Sequence, residues 1–265
     1  MTLAASHQAR KRFGQNFLVD GQVIAKIIAA ISPKNGNCLV EIGPGQGAIT
    51  GPLLEAAGGL HAIELDRDLA AILTDRFREE PGFHLHQGDA LAFDFAALAE
   101  DGPLRIVGNL PYNISTPLIF YLLRFANVIH DMHFMLQKEV VERMAAEPGT
   151  KTYGRLSVIV QYYCQVFELF DVPPSAFSPV PKVDSAIVRL VPRQKFDPRA
   201  SNEALFHTLV RTAFQQRRKT LRNALKQLPG STELDLQTVS IDLGRRPETL
   251  SVAEFVTLSN ELNAQ

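Results

Sequence analysis

The chain is poor in cysteine, lacks long apolar runs and carries almost no net charge, and each shortage removes a class of protein. Only Cys38 and Cys164 occur in 265 residues, both inside apolar runs and without metal-ligand spacing. Two buried thiols are expected rather than a disulfide framework, and no metal site is expected. No apolar stretch reaches the ~20 residues that a membrane helix needs. Met1 to Arg12 turns polar and basic, unlike a secretory leader. A cytoplasmic protein with no membrane partner is expected. Lys and Arg together number 27 against 28 Asp and Glu, a net charge of −1. Bulk charge therefore gives no argument for nucleic-acid binding, which must rest on local clusters. No Gly-Lys-Ser/Thr phosphate loop is present.

What the chain does have is an apolar share of 46%, enough for a large core. From about Gly36 to Leu136, short apolar runs alternate with longer amphipathic ones. Cys38–Ile42, Leu60–Glu64, Phe83–Gln87, Leu104–Gly108 and Met132–Leu136 read as strands. Ala48–Ala57, Asp66–Arg78 (with Leu69, Leu73 and Phe77 spaced by four) and Ser115–Phe125 read as helices. This rhythm predicts an α/β, Rossmann-like domain: a mostly parallel sheet with helices on both faces. Beyond Glu139 the pattern changes. Val166–Val172 and Ser185–Val191 look like paired strands, Leu156–Tyr163 fits either helix or strand, and the patterns from Ser201 are helical. The expected division is 1–196 for the α/β domain and 197–265 for a small all-helical, RNA- or ribosome-binding domain.

Gly43, Gly45 and Gly47 in Glu41-Ile42-Gly43-Pro44-Gly45-Gln46-Gly47 follow a strand and precede a helix. Glycine there lets the backbone turn sharply and lets a nucleoside cofactor lie against bare main chain. NAD, FAD and S-adenosylmethionine sites all use such a loop. Glu64 ends the second strand, where a carboxylate grips ribose hydroxyls, and Asp89 ends the third, where one can accept from an adenine amino group. Gln15-Asn16-Phe17-Leu18 reads on its own terms either as a turn whose amide side chains close over the cofactor or, more simply, as a hydrophobic N-terminal latch through Phe13 and Phe17.

Asn109-Leu110-Pro111-Tyr112 ends the fourth strand. An adenine amine is a poor nucleophile because its lone pair is delocalised into the ring. Accepting both of its N–H bonds localises that pair; the Asn109 side-chain oxygen and the Leu110 carbonyl are suited to this, with Pro111 turning Leu110 out of helical geometry. Tyr112 offers a ring for stacking, worth about 1–3 kcal/mol per base. With the glycine loop, this points to methyl transfer from S-adenosylmethionine to the exocyclic nitrogen of an unpaired or flipped adenine. Phe177, on a proline-stiffened loop, is either a second stacking ring or a core plug. Arg211, Arg217, Arg218, Lys219, Arg222 and Lys226 have no acid between Arg211 and Lys226, and on a helix several of them are expected to share a face that tracks phosphates. Arg10-Lys11-Arg12 forms a second basic cluster.

These motifs closely resemble the small-subunit ribosomal RNA adenine N6,N6-dimethyltransferases, almost end to end. The likeness also includes Lys11 to Leu18, Gln137 to Val140, Phe177 to Ser185 and Ala213 to Leu221. It implies dimethylation of two adjacent adenosines in the 3′-terminal hairpin of small-subunit rRNA, with that rRNA in an immature 30S subunit as partner. It assigns Asn16, Leu18, Gly43, Glu64, Asp89 and Asn109 to the S-adenosylmethionine site, displacing the latch reading for Asn16. It makes Tyr112 and Phe177 a base-stacking pair. Gln215-Gln216 stands where many relatives have Asn-Gln, a conservative departure. The alternatives are dimethylation of a large-subunit adenosine and an assembly checkpoint in which catalysis is dispensable. DNA adenine methylation fits less well, since such enzymes more often carry Asp-Pro-Pro-Tyr or Asn-Pro-Pro-Tyr. A monomer is expected.

Overall fold

The computed structural model describes residues 16–100, 102–194, 197–229 and 238–265. The basic cluster at Arg10–Arg12, Phe13 and Gln15 lies outside the described residues. A two-residue strand β1 (Phe17–Leu18) leads into α1 (Gly21–Ile31). The Asp20 side chain caps α1 by accepting from the backbone N–H groups of Gln22 and Val23 at 2.8 and 3.1 Å. Then follow β2 (Cys38–Ile42), α2 (Thr50–Ala57), β3 (Leu60–Glu64), α3 (Arg67–Arg76), β4 (Phe83–Gln87), β5 (Leu104–Asn109), α4 (Ser115–Leu122) and β6 (Ile129–Gln137).

After α5 (Lys138–Ala145) come α6 (Arg155–Tyr163), β7 (Cys164–Val172), β8 (Phe177–Ser178), β9 (Ser185–Pro192), α7 (Glu203–Gln215), α8 (Leu221–Leu225) and α9 (Val252–Asn263). The segment open to either reading, Leu156–Tyr163, is helical. Its Leu156, Ser157, Val158, Ile159, Val160 and Tyr162 are all buried, a nearly unbroken run that fits a helix packed on more than one side and not the alternation of a half-exposed strand. No helix among the described residues is long and apolar enough to cross a membrane.

Seven strands form one sheet in the order β4-β3-β2-β5-β6-β9-β7. The pairs from β4 to β6 are parallel, and β9 runs antiparallel to β6. The chain moves outward from β2 through β3 to β4, then returns to place β5 on the other side of β2. The sheet therefore has its topological switch point between β2 and β5, and in open α/β sheets ligands bind at the carboxyl ends of such strands. Ile27 and Ile31 of α1, Leu53 and Leu54 of α2 and Leu73 of α3 pack with Leu39, Leu60, Val107 and Met135 into one core. Each fully buried side chain of this kind stabilises by about 1.5–3 kcal/mol.

The compact units are discontinuous, unlike the single cut expected after residue 196. One is the chain up to Val141 with Phe167–Pro192; the other is Glu142–Val166 with Arg193–Gln265. The physical reason lies in α6, whose apolar face packs against α7 and α9. Tyr162 sits 4.6 Å from the ring of Phe206, and Tyr153 and Phe255 flank Phe214 at 6.2 and 5.7 Å. Cys164 is buried as expected, but Cys38 is only half-buried.

Candidate active site

Two glycine features let β2 and β5 meet at the switch point. Gly43, Gly45 and Gly47 adopt φ of 67°, 59° and 78°, left-handed conformations that side-chain-bearing residues rarely take. A methyl group on Gly108 would lie 2.6 Å from the carbonyl oxygen of Ile42, so only glycine allows this close approach of β5 to β2. As a result the glycine loop and Asn109 stand side by side.

A cavity of about 240 Å³ opens there. Asn16, Leu18, Gly43, Gly45, Glu64, Asp89, Asn109, Leu110, Pro111 and Tyr112 all line it, although they span nearly a hundred positions of sequence. Four carboxyl side chains line it too, Glu41, Glu64, Asp66 and Asp89, and among the described residues no Lys or Arg does. Such a lining disfavours a phosphate-bearing cofactor and suits a cationic one. Glu64 accepts from the Gly45 N–H through Oε2 at 3.1 Å and from the Asp66 N–H through Oε1 at 2.9 Å. Burial raises its pKa, opposed by these backbone donors. Each oxygen keeps a lone pair for a ribose hydroxyl. Asp89 is exposed and accepts from the Leu91 N–H at 2.9 Å, so it serves as a turn cap while facing the cavity.

At the other wall, Asn109 Nδ2 donates to the Asn16 carbonyl at 3.1 Å. The partner is a carbonyl, so the side-chain atom facing it must be the N–H₂ group, and Oδ1 is the atom left for the cavity. The Leu110 N–H donates to the Met135 carbonyl at 3.2 Å, tying the bend to β6. Ser115 Oγ donates to the Tyr112 carbonyl at 3.2 Å, and the Tyr112 hydroxyl bonds Ser185 Oγ at 2.7 Å. The Tyr112 ring is thereby held from β9.

Two expectations need correction. Phe177 is not among the residues that line the cavity with Tyr112. It is 2% exposed and sits in the core with Leu18 and Ile27, because β8 pairs antiparallel with β1 and sets Phe177 opposite Leu18. The core-plug reading describes it. The arginine-rich segment is not one helix: α7 ends at Gln215 and α8 begins at Leu221, with Arg217, Arg218 and Lys219 in the turn between. Arg211, Arg218, Lys219 and Arg222 are exposed, but the Arg217 guanidinium donates to the carbonyls of Thr150 and Lys151.

Three contributors to the site carry no separate signal in the sequence. Glu41 was read only as part of the glycine motif, Thr50 carried no signal, and Ser185 lies 73 residues from the tyrosine it orients.

A mostly parallel sheet with this switch point, a glycine-rich turn after β2 and an acid-lined cavity ending at Asn-Leu-Pro-Tyr together define a Rossmann-like, S-adenosylmethionine-dependent methyltransferase. The family model for ribosomal RNA adenine dimethylase matches residues 6–264. Ribosomal RNA small subunit methyltransferase A of Chromohalobacter salexigens is 58% identical over 265 residues, covering 97% of this chain and 92% of that protein. The protein of the same name from Pseudomonas aeruginosa is 59% identical over 257 residues, covering 97% and 95%. A dimethyladenosine transferase from Plasmodium falciparum superposes with a TM-score of 0.79 at 28% identity, covering 94% of this chain and 98% of that one. The 23S rRNA methyltransferase ErmE shares the fold, with a TM-score of 0.71 at 24% identity over 94% and 100%. The chain belongs to the ribosomal RNA adenine dimethylase family. It is an enzyme that dimethylates adenine in rRNA with S-adenosylmethionine as cofactor.

Proposed function

We propose that this enzyme dimethylates the N6 amines of two adjacent adenosines in the 3′-terminal hairpin of small-subunit rRNA, within an immature 30S subunit in the cytoplasm. The observation that carries the chemistry is the Asn109–Asn16 hydrogen bond, because it engages Nδ2 of a cavity-lining amide and leaves Oδ1 as the atom that can accept from a substrate. The small-subunit target is supported by relatives 58–59% identical that bear that name, which leaves the large-subunit reading unfavoured.

Glu64 would hold the ribose hydroxyls, Gly43 and Gly45 would admit the nucleoside against bare backbone, and Asp89 would accept from the adenine amine of the cofactor. Asn16 and Leu18 would close the other side. S-adenosylmethionine supplies an electrophilic methyl on a sulfonium. Asn109 Oδ1 and the Leu110 carbonyl accept the two N–H bonds of the target amine, drawing its nitrogen toward a tetrahedral state and localising its lone pair. Tyr112, fixed through Ser185, stacks on the flipped base. No strong base is required, since the amine proton becomes acidic once the methyl has arrived. The rate gain comes from in-line placement and oriented dipoles. Arg211, Arg218, Lys219 and Arg222 contact RNA phosphates, and the enzyme acts as a monomer.

Mass spectrometry of rRNA digests from cells lacking this gene tests the target. The expected result is loss of dimethyladenosine from the 3′ hairpin of the small-subunit rRNA alone; loss from the large-subunit rRNA would overturn it.

A further inference from the structure

Glu41 is the most deeply buried acid lining the cavity, at 1% exposure. Thr50 Oγ1 donates to its Oε2 at 2.7 Å. Among the described residues no backbone N–H is bonded to it, in contrast to Glu64, which accepts from Gly45 and Asp66. Among the described residues, the groups that line the cavity with it offer no Lys or Arg. From α2 comes the Thr50 hydroxyl, from β3 the Glu64 carboxyl, and from the loops that follow β3 and β4 come Asp66 and Asp89. From β5 comes the neutral Asn109, and α1 contributes the apolar Ile27 and Ile31. His133 of β6 is neutral near pH 7, because burial pushes its pKa down to about 4. Burial above all, then the nearby Glu64, lifts the Glu41 carboxyl to about 8 against the opposing Thr50 bond.

An isolated buried carboxylate is costly, and a group in that position neutralises instead. A cation placed in the same cavity reverses the balance. The cofactor carries a positive sulfonium, whereas the product left after transfer carries a neutral thioether, and the two are otherwise alike.

We propose that Glu41 is a charge-discriminating residue, protonated in the empty cavity and ionised beside the sulfonium, so that the protein holds the cofactor more tightly than its spent thioether. Glu41 releases one proton to solvent as the sulfonium enters. It takes one back once the methyl has left for N6 and the sulfur is neutral, while the proton displaced from N6 goes to solvent. The loss of charge at sulfur thus weakens the grip on the product at the moment it must leave. This rests on the assignment of S-adenosylmethionine to this cavity.

Calorimetric titration of the full chain with S-adenosylmethionine and with S-adenosylhomocysteine, from pH 6 to 9 in buffers of different ionisation enthalpy, tests it. Sulfonium binding should release up to one proton near neutral pH, and its affinity should rise by up to tenfold per pH unit before levelling off above about 8. Thioether binding should release less and rise less. In Glu41→Gln, which keeps an acceptor for Thr50, the two profiles should run parallel. Parallel profiles in the unaltered protein, or a difference that persists in Glu41→Gln, overturn the inference. If the variant does not fold, the unaltered protein's two profiles decide alone. Failure of both compounds to bind would instead overturn the cofactor assignment itself.

Discussion

Asn109 Nδ2 donates to the carbonyl of Asn16 at 3.1 Å, linking the end of β5 to the residue just before β1. The bond selects which side-chain atom meets the substrate, so replacing the amide should cost catalysis far more than stability. Asn109→Ala is expected to lower single-turnover methyl transfer by about 10²–10³-fold, the usual loss for one oriented polar group at a reacting centre. Asn109→Asp should fare no better, because a carboxylate oxygen would face the Asn16 carbonyl. Rapid-quench kinetics with the melting temperature measured alongside separates the two effects.

Ser185 orients Tyr112 through a 2.7 Å hydroxyl contact. Ser185→Ala and Tyr112→Phe should each reduce turnover severalfold, in line with about 0.5–1.5 kcal/mol for one hydrogen bond, and leave cofactor affinity unchanged. Because both remove the same contact, the double variant should be no worse than the weaker single one. Additive losses would show that the contact does not position the ring.

Gly108→Ala should push β5 from β2, since its methyl would meet the Ile42 carbonyl oxygen at 2.6 Å. A loss of about 1–3 kcal/mol is expected in urea unfolding, together with weaker cofactor binding. A variant with unaltered midpoint would mean that the strands separate at little cost.

The stability of the protein should depend on pH in two opposing ways. Asp131, at 0% exposure, accepts from Arg105 at 2.9 and 3.1 Å and from Arg189 at 3.2 and 3.0 Å. Burial alone would raise its pKa, but the Arg105 bonds and the surrounding positive charge hold it below the ordinary value of 3.8. Its contribution is therefore present above that value and is lost as pH falls through the lower folded value. Glu41 has the opposite sign: its pKa is raised from 4.5 to about 8, so the cofactor-free protein loses stability as pH climbs between those values. Glu41→Gln should raise the melting temperature more at pH 8 than at pH 5. Asp131→Asn should lower stability by about 3–5 kcal/mol at pH 7 by leaving two guanidinium groups without their anion.

RNA affinity should respond unequally to the arginines between α7 and α8. Arg218→Glu should lower affinity and reduce the slope of log affinity against log salt by about 0.7–0.9, the release of one phosphate contact. Arg217→Ala should mainly loosen the turn, since its guanidinium already engages Thr150 and Lys151. Filter binding at several salt concentrations, with melting temperatures, distinguishes them.

The alternation of short apolar runs with amphipathic ones was enough to foresee a mostly parallel sheet from Cys38 to Leu136, because strand and helix periods are local properties of the chain. Glycine, acid and Asn-Leu-Pro-Tyr at successive strand ends were legible for the same reason, each being a short motif with its own chemistry. Long-range packing decided the rest. Phe177 became a core residue because β8 pairs with β1. The second compact unit claimed α6 because α7 and α9 cover its apolar face. The basic run broke at Gln215 because a turn, rather than a helix, satisfies its backbone. Glu41 acquired its burial and its neighbours only when the fold set Thr50 of α2 and Glu64 of β3 beside it. Sequence fixes what a residue can offer, whereas burial and the partner across the fold decide which atom it presents and in which charge state.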